Sequence, residues 1–600
     1  MTRFCYRIEG IVQGVGFRPF VYTLALKHRL CGYVLNDTTG VEMELEGKKE
    51  DIELFDKEFQ ATLPPLARVD FIEKNEKPIF NFVDFRIEQS SSQVSKYSLV
   101  SPDMSLCDDC LKELKDSSNF RYQYPFINCT NCGPRYSIVK TVPYDRPNTS
   151  MATFEMCENC RSEYIDPLNR RYHAQPISCP KCGPSAFLKN IKGDILEHGN
   201  KAIERLAELI NEGFIVAMKG MGGFHLICDA TNKNAVEKLR LRKKRPTKPF
   251  AVMFKDVLSI EKECLLSNDE KNAILLLKRP IVLVKCKQND ISKIDFGVAP
   301  NIDRLGVFLP YTPLHVMLFE YLKNPIIATS ANASGEPIAT SSLKVQEALY
   351  DVVDFYLDYN RDIVNASDDS VMQMVGNKTL FLRMSRGYTP ASFRFESDEK
   401  RKILALGAHQ KNAIAIYMDN QIILSPYIGD LDSVENIHFF EKTVQSFKNF
   451  YDFEPDIIVC DKHPNYTTTR WAKAQNKPLV QIQHHYAHIL SCMFEHKIDE
   501  QVLGVAWDGT GYGDDGTIWG GEFLLCTKKT YERVAYFEPF LLLGGDASIK
   551  DIRRILLSIL LDSEYEKSLY QPFFDKCENS ELTLLKHAHE KRINSPPCSS

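Results

Sequence analysis

Apolar positions switch period several times along the first 90 residues. Phe4, Tyr6 and Ile8 alternate with polar neighbours, the mark of a half-buried strand, and Phe17, Phe20, Val21, Leu24 and Ala25 then recur at helical spacing. Val41, Met43 and Leu45 return to alternation. A second helix is predicted over about 49–61, stopped before Pro64-Pro65, with apolar stretches following at 69–72 and 82–87. The order is βαββαβ. Farther along, Ala202, Ile203, Leu206, Ala207, Leu209 and Ile210 share one face of a helix, and a strand is predicted at 214–219. Beyond residue 400 the pattern predicts strands at 403–406, 412–418 and 503–507 and an apolar helix over 489–494. The reading is a multidomain chain of α/β and α+β parts, divided at 1–91, 100–190, 198–390 and 400–600.

The segment 100–190 lacks such periodicity and carries cysteines instead. C-x2-C-x18-C-x2-C occurs as Cys107, Cys110, Cys129, Cys132 and again, 50 residues on, as Cys157, Cys160, Cys179, Cys182. Each set offers four thiolates, the complement of a closed tetrahedral structural Zn2+ site. Two disulfide-linked loops are the competing reading, disfavoured by the regular spacing. Binding of zinc supplies roughly 10–16 kcal/mol to segments with little core of their own.

Charge and composition narrow the class. Of 600 residues 44% are hydrophobic and the net charge is −5, so no dominant nucleic-acid footprint is expected despite the zinc knuckles. No apolar run is long enough to span a membrane, and Met1–Gly10 has no signal-peptide core. The remaining cysteines are scattered, which predicts a reducing cytoplasm.

Between the first strand and helix lies Gly10-Ile11-Val12-Gln13-Gly14-Val15-Gly16-Phe17-Arg18. Glycines in a tight loop let successive N–H groups converge, and the helix N-terminus adds its positive end, which makes an anion cradle. Arg18 can fork onto a phosphate. Asn36, closing Gly32-Tyr33-Val34-Leu35-Asn36-Asp37, can hold a water. The strings VQGVGFR and GYVLND resemble acylphosphatase, a ferredoxin-like fold. That resemblance implies that Gln13, Gly14, Val15, Gly16, Phe17 and Arg18 bind phosphate, that Asn36 orients the hydrolytic water, and that a carbamoyl- or carboxyl-phosphate bond is cleaved.

In the third segment Gly220-Met221-Gly222-Gly223 fits a plain turn at least as well as a phosphate loop. The basic run from Lys238 to Lys248 fits either a solvated helix face or a polyphosphate clamp. Taken in order with Ala328-Thr329-Ser330-Ala331-Asn332 and Arg383-Met384-Ser385-Arg386, these strings resemble the YrdC family. The resemblance implies nucleotide binding by Lys243, Arg245, Ser330 and Asn332, with Lys219, Lys248, Arg383 and Arg386 as further candidates. It also implies ATP with Mg2+ and an acyl-adenylate product.

In the fourth, His484-His485-Tyr486-Ala487-His488 puts His484 and His488 on one helix face, within reach of one metal. A packed, hydrogen-bonded trio fits the pattern equally well. Asp508-Gly509-Thr510-Gly511, read as a strand end and turn, suits a metal or phosphate site. Together these motifs resemble the carbamoyl-transferring branch of the actin-like ATPase superfamily, which implies His484, His488 and Asp508 as ligands of Zn2+ or Fe2+. A fourth, carboxylate ligand is implied beyond residue 600. The chain therefore reads as C-terminally shortened, with incomplete folding of 400–600 as one expectation.

The order of the four modules resembles the hydrogenase maturation carbamoyltransferases, the HypF family. That resemblance implies carbamoyl phosphate and ATP as substrates, the C-terminal cysteine of HypE as acceptor, and no nucleic-acid or membrane partner. The alternatives are a tRNA threonylcarbamoyl-type enzyme, disfavoured by the acylphosphatase front end, and acyl-phosphate hydrolysis alone in a shortened chain.

Overall fold

The computed structural model describes residues 1–36, 40–88, 99–287, 292–563, 566–575 and 578–599; Asp37 of the GYVLND string and the expected boundary at 91 fall outside them. The chain forms two compact units, Met1–Lys402 with Gln410–Glu454, and Ile403–His409 with Pro455–Ser600.

The first unit opens with β1 (Thr2–Ile11), α1 (Phe17–Lys27), β2 (Cys31–Asn36), β3 (Gly40–Gly47), α2 (Lys49–Ala61), β4 (Arg68–Lys77) and β5 (Phe85–Ile87). The sheet order is β4-β1-β3-β2-β5. Register sets apolar residues opposite one another, Phe4 against Leu45, Tyr6 against Met43 and Ile8 against Val41. Because side chains alternate with period two, that face meets Phe17, Val21 and Leu24 of α1 and Ile52, Phe55 and Phe59 of α2. The predicted elements form where the periodicity puts them.

The cysteine-rich segment carries two short helices, α3 (Asp108–Lys115) and α4 (Glu158–Ile165), each starting just after the first cysteine of its set. The 50-residue repeat is also a repeat of contacts. Arg121 of the first finger pairs with Glu163 of the second, and Arg171 of the second pairs with Glu113 of the first. The backbone N–H of each arginine donates to an asparagine two residues earlier, Asn119 and Asn169, at 2.9 Å in both. Each finger thus braces the other.

The next sheet begins with β6 (Ala186–Asn190) and β7 (Ile195–His198). β6 pairs with the strand Phe355–Tyr359, Leu188 opposite Leu357, so the expected boundary near 190–198 lies within this sheet. Next come α5 (Gly199–Asn211), β8 (Val216–Lys219), β9 (Phe224–Asp229) and α6 (Lys233–Arg242). The glycine-rich loop 220–223 is the hairpin turn between β8 and β9, closed by Gly220 N–H donating to Gly223 O at 2.8 Å. β9 pairs antiparallel with the strand Ile326–Ser330, Ser330 opposite His225. One core joins finger to sheet, since Cys110, Leu114, Cys129 and Cys132 share a cluster with Leu206, Met218, Phe308 and Tyr311.

The second unit holds the parallel strands Ile403–Leu406, Ile457–Asp461 and Leu479–Ile482, then the helix His484–His496. The strand Val502–Tyr512 pairs with Ile518–Cys526. Tyr486, Ile489, Met493, Ala506, Trp519 and Leu524 form its core, and Leu543, Leu557, Phe574 and Leu585 a second cluster. One expectation changes here, because Asp508 does not end a strand. The strand continues through 508–512, and its register shifts between Trp507 and Gly511, leaving Asp508 at an irregularity. Among the described residues no helix is long and apolar enough to cross a membrane.

Glu163→Ala strands a fully buried Arg121 without its carboxylate and is expected to cost about 3–5 kcal/mol. Glu208→Ala, which breaks an exposed pair with Arg205, is expected to cost less than about 1 kcal/mol. Zinc release in a denaturant titration measures both.

Candidate active sites and zinc centres

The two cysteine sets close into compact tetrads. Sγ–Sγ separations are 3.6 Å for Cys107–Cys129, 3.8 Å for Cys129–Cys132 and 3.6 Å for Cys132–Cys110. In the second set they are 3.6 Å for Cys157–Cys179, 3.7 Å for Cys179–Cys182 and 3.6 Å for Cys182–Cys160. Four sulfurs about 2.3 Å from a tetrahedral Zn2+ stand roughly 3.8 Å apart, so the donor sets fit the metal. Guanidinium groups cross between fingers to sulfur. Arg170 donates to Cys110 Sγ at 3.2 Å, and Arg121 to Cys160 Sγ at 3.4 Å. Such N–H donors offset part of the excess thiolate charge.

At the first candidate catalytic site, Gly14 (φ +70°) and Gly16 (φ +76°) adopt left-handed backbone that lets the loop curl over the N-terminus of α1. Arg18 lies in the first turn of that helix and Asn36 at the end of β2. Gln13 Nε2 donates to Gly40 O at 2.7 Å, tying the loop to β3. Val15 and Phe17 point into the domain core. Among the described residues Asn36 Oδ1 is buried with no hydrogen-bond partner, which leaves it able to accept from a water. Burial holds the Arg18 guanidinium below its ordinary pKa, opposed by Tyr172, Asp145 and Tyr164. A phosphate dianion placed there would restore a charge partner.

At the second, Lys243 follows the last turn of α6, and Lys244 takes φ +51° to turn the chain toward Arg245. Lys243 Nζ donates to Ser330 O at 2.7 Å, Asn332 O at 2.9 Å and Asn332 Oδ1 at 3.0 Å. Ser330 Oγ donates to the same Oδ1 at 2.8 Å, and Arg245 donates to Thr329 Oγ1 at 3.1 Å. Two strings some 85 residues apart thus form one clasp. Burial, then Arg245, pushes Lys243 down to about 7. Burial, then Arg240 and Arg383, pushes Arg245 down to about 10. Lys248 is lowered by burial, then by Arg245 and Arg383. A polyphosphate would relieve this mutual repulsion.

Other cations of the basic run are structural. Lys238 and Arg242 pair with Asp354, and Arg240 donates to backbone carbonyls. Arg383 donates to Asp369 O at 2.8 Å and stands near the clasp. Lys219 is held elsewhere, by Asp358 at 3.1 Å and Tyr359 O at 2.9 Å. Arg386, fully buried, pairs with Asp369 and lies 3.6 Å over the Tyr311 ring.

In the second unit His484 Nε2 lies 2.8 Å from Asp508 Oδ2, and His488 Nε2 lies 3.3 Å from both His484 Nε2 and Asp508 Oδ2. Donors around one small divalent ion stand about this far apart. His485 faces away, buried against Gln483 at 3.1 Å. Sequence reasoning missed Asp461, whose Oδ2 sits 2.7 Å from His484 Nδ1 and orients the ring. Its one signal is a carboxylate closing the strand Ile457–Asp461. Thr329, one residue before the Ser330 motif, was missed likewise.

Family models match along the whole chain: Acylphosphatase at 4–87, HypF finger at 106–139 and 156–188, and Telomere recombination (Sua5/YciO/YrdC) at 208–385. HypF Kae1-like domain matches 398–495, and the second subdomain of the Kae1-like carbamoyltransferase domain matches 504–600. The chain is 47% identical over 555 residues to Carbamoyltransferase HypF of a Synechocystis species, covering 92% of this chain and 72% of that protein. It is 41% identical over 598 residues to the probable carbamoyltransferase HypF of Methanocaldococcus jannaschii, covering 98% and 78%. The crystal structure of full-length HypF in a phosphate- and nucleotide-bound form superposes with a TM-score of 0.94 at 42% identity, over 100% of this chain and 78% of that one.

Elemental analysis is expected to find two zinc ions per chain in the cysteine module. Cys132→Ala, in a tetrad where that thiol is fully buried, is expected to lose one of them and retain the other.

Proposed function

The chain belongs to the HypF family of carbamoyltransferases, and from that premise we propose a three-step carbamoyl relay serving [NiFe] hydrogenase maturation. Carbamoyl phosphate and water give carbamate and phosphate at the first site. Loop amides from Gln13 to Phe17 and the Arg18 guanidinium hold the phosphoryl oxygens, and Asn36 aims the water. The bridging oxygen leaves with the carbamoyl group. Free carbamate decomposes in water, so internal transfer is favoured.

Carbamate and ATP then give carbamoyl-AMP and pyrophosphate. Lys243 and Arg245 neutralise charge developing at the α-phosphate as pyrophosphate departs, and Ser330 and Asn332 order the clasp. Lys248 and Arg383 reinforce the field there. Mg2+ accompanies the nucleotide. Finally the carbamoyl group passes to a thiol, releasing AMP. The acceptor in this reading is the C-terminal cysteine of HypE, and the thiocarboxamide becomes a cyanide ligand of the nickel–iron centre. His484, His488 and Asp508 would hold a divalent ion, Zn2+ or Fe2+, which when bound supplies Lewis acidity toward a phosphoryl or carbonyl oxygen. Asp461 keeps His484 in the ligating tautomer. Free thiolates suit the reducing cytoplasm.

The observation that carries this reading is the closure of Lys243 onto Ser330 and Asn332 in the same unit as the Gly14–Arg18 loop. Pyrophosphate release from ATP is expected to require carbamoyl phosphate and to fall at least about 100-fold in Arg18→Ala, the scale of losing a charged phosphate contact. Release that ignores carbamoyl phosphate would sink the relay. The Lys243 ammonium is the form that holds phosphate and persists below its lowered pKa of about 7. ATP affinity is thus expected to weaken as pH rises through 7, by no more than about tenfold per unit, and Lys243→Met is expected to flatten that slope.

A further inference from the structure

The phosphate loop of the first domain does not face open solvent on all sides. A β-carbon at Gly14 would stand 3.2 Å from Cδ1 of the Tyr144 ring, and one at Gly16 would stand 2.9 Å from Thr130 Oγ1 and 3.8 Å from Asn131 Oδ1. All three neighbours belong to the zinc module. Tyr144 lies between the two fingers, its hydroxyl donating to Pro134 O at 3.3 Å. Thr130 lies inside the first tetrad's knuckle and donates to Arg170 O at 3.1 Å, so both are anchored to the braced core of that module. Around Arg18 the surroundings come from the second finger. Burial and the nearby Arg18 push His173 down to about 4, and the His173 ring stacks 4.9 Å from Tyr164 and lies tilted 4.3 Å from Tyr172. Gly14 itself remains exposed, so an entrance is left.

With the phosphoryl group held by the loop amides and Arg18, the acyl half of any substrate must extend away from the loop. We propose that Tyr144 and Thr130 form a rigid roof over the acyl-phosphate site and set an upper size limit on the acyl group it accepts. This rests on the acyl-phosphate reading of the loop. The discrimination is by volume. Carbamoyl and acetyl groups differ by NH2 against CH3 at nearly equal size, and an apolar wall separates such isosteres poorly. A benzoyl group adds a six-carbon ring, which a roof of this kind would exclude. The zinc module would then select substrate for the first site as well as brace the fold.

The test is phosphate release by the full chain from carbamoyl, acetyl and benzoyl phosphate, with zinc content measured on every variant. In the wild type, kcat/KM for benzoyl phosphate is expected at least about 100-fold below that for carbamoyl phosphate, with acetyl phosphate within about tenfold. Tyr144→Ala is expected to raise the benzoyl value at least tenfold with both zinc ions retained, while Tyr144→Phe, which keeps the ring, leaves selectivity as in the wild type. Thr130→Ala repeats the test on the other side of the loop with the ring in place. Arg18→Ala is expected to abolish turnover of all three. Equal use of benzoyl and carbamoyl phosphate by the wild type overturns the roof, as does an unchanged ratio in zinc-replete Tyr144→Ala and Thr130→Ala. Carbamoyl phosphate turnover that survives Arg18→Ala overturns the acyl-phosphate reading itself, and the roof with it.

Discussion

The reciprocal bracing of the two thiolate tetrads is the constraint on which the first unit depends. Neither finger has enough apolar surface to be stable alone; the second contributes only Cys160, Ala174, Ile177 and Cys179 to its own cluster. Metal ligation supplies the closure, and the arginines supply the join. Arg121 and Arg171 reach across to Glu163 and Glu113, while Arg170 and Arg121 also touch the opposite tetrad's sulfur. A buried ion pair is weak evidence for stability by itself, because desolvation consumes most of the attraction. Here Arg121 also donates to a thiolate, so removing that guanidinium uncovers two charges, the Glu163 carboxylate and the Cys160 sulfur, instead of one.

From that braced module, rigidity extends in two directions. Toward the N-terminal domain, Thr130 and Tyr144 meet the phosphate loop. Toward the nucleotide sheet, the first finger shares a continuous apolar core with Leu206, Met218 and Phe308, and Asn365 donates to Tyr136 O and Val139 O at 2.8 and 2.7 Å. Buried backbone carbonyls of the irregular segment, which has little sheet or helix of its own, are satisfied by side chains. Arg135 alone takes up those of Cys129, Thr130, Cys132 and Pro134. A loop-rich connector can hold two catalytic domains firmly only if its own polar groups are accounted for in this way.

The candidate metal site of the second unit is arranged in the opposite manner. The cysteine tetrads are closed and mostly buried, whereas the cluster of His484, His488 and Asp508 leaves His488 exposed and the other two half-buried, with three donors among the described residues. Three ligands and an open side suit chemistry better than scaffolding. The orienting bond from Asp461 comes from a neighbouring strand and not from the helix that carries the histidines, so the geometry of the cluster depends on strand and helix packing together.

Much of this protein was legible in its sequence for local reasons. Alternation at Phe4, Tyr6 and Ile8, the 50-residue cysteine repeat and the i, i+4 histidines each encode their geometry within a few residues, because strand, knuckle and helix periodicities are properties of the backbone. What lay beyond reach required distant strands to meet. Lys238 and Lys243 look alike in a basic run, and only the approach of Asp354 and Asn332 separates a structural cation from a nucleotide-site candidate. Lys219 and Arg386 read as further nucleotide-site candidates, and only the fold places Asp358 and Asp369 beside them. Asp508 read as a strand end because a bulge is set by the partner strand's register, which no single-strand pattern contains. Tyr144 carried no signal at all: its position over Gly14 follows from how two domains pack, and that is decided by the tertiary structure alone.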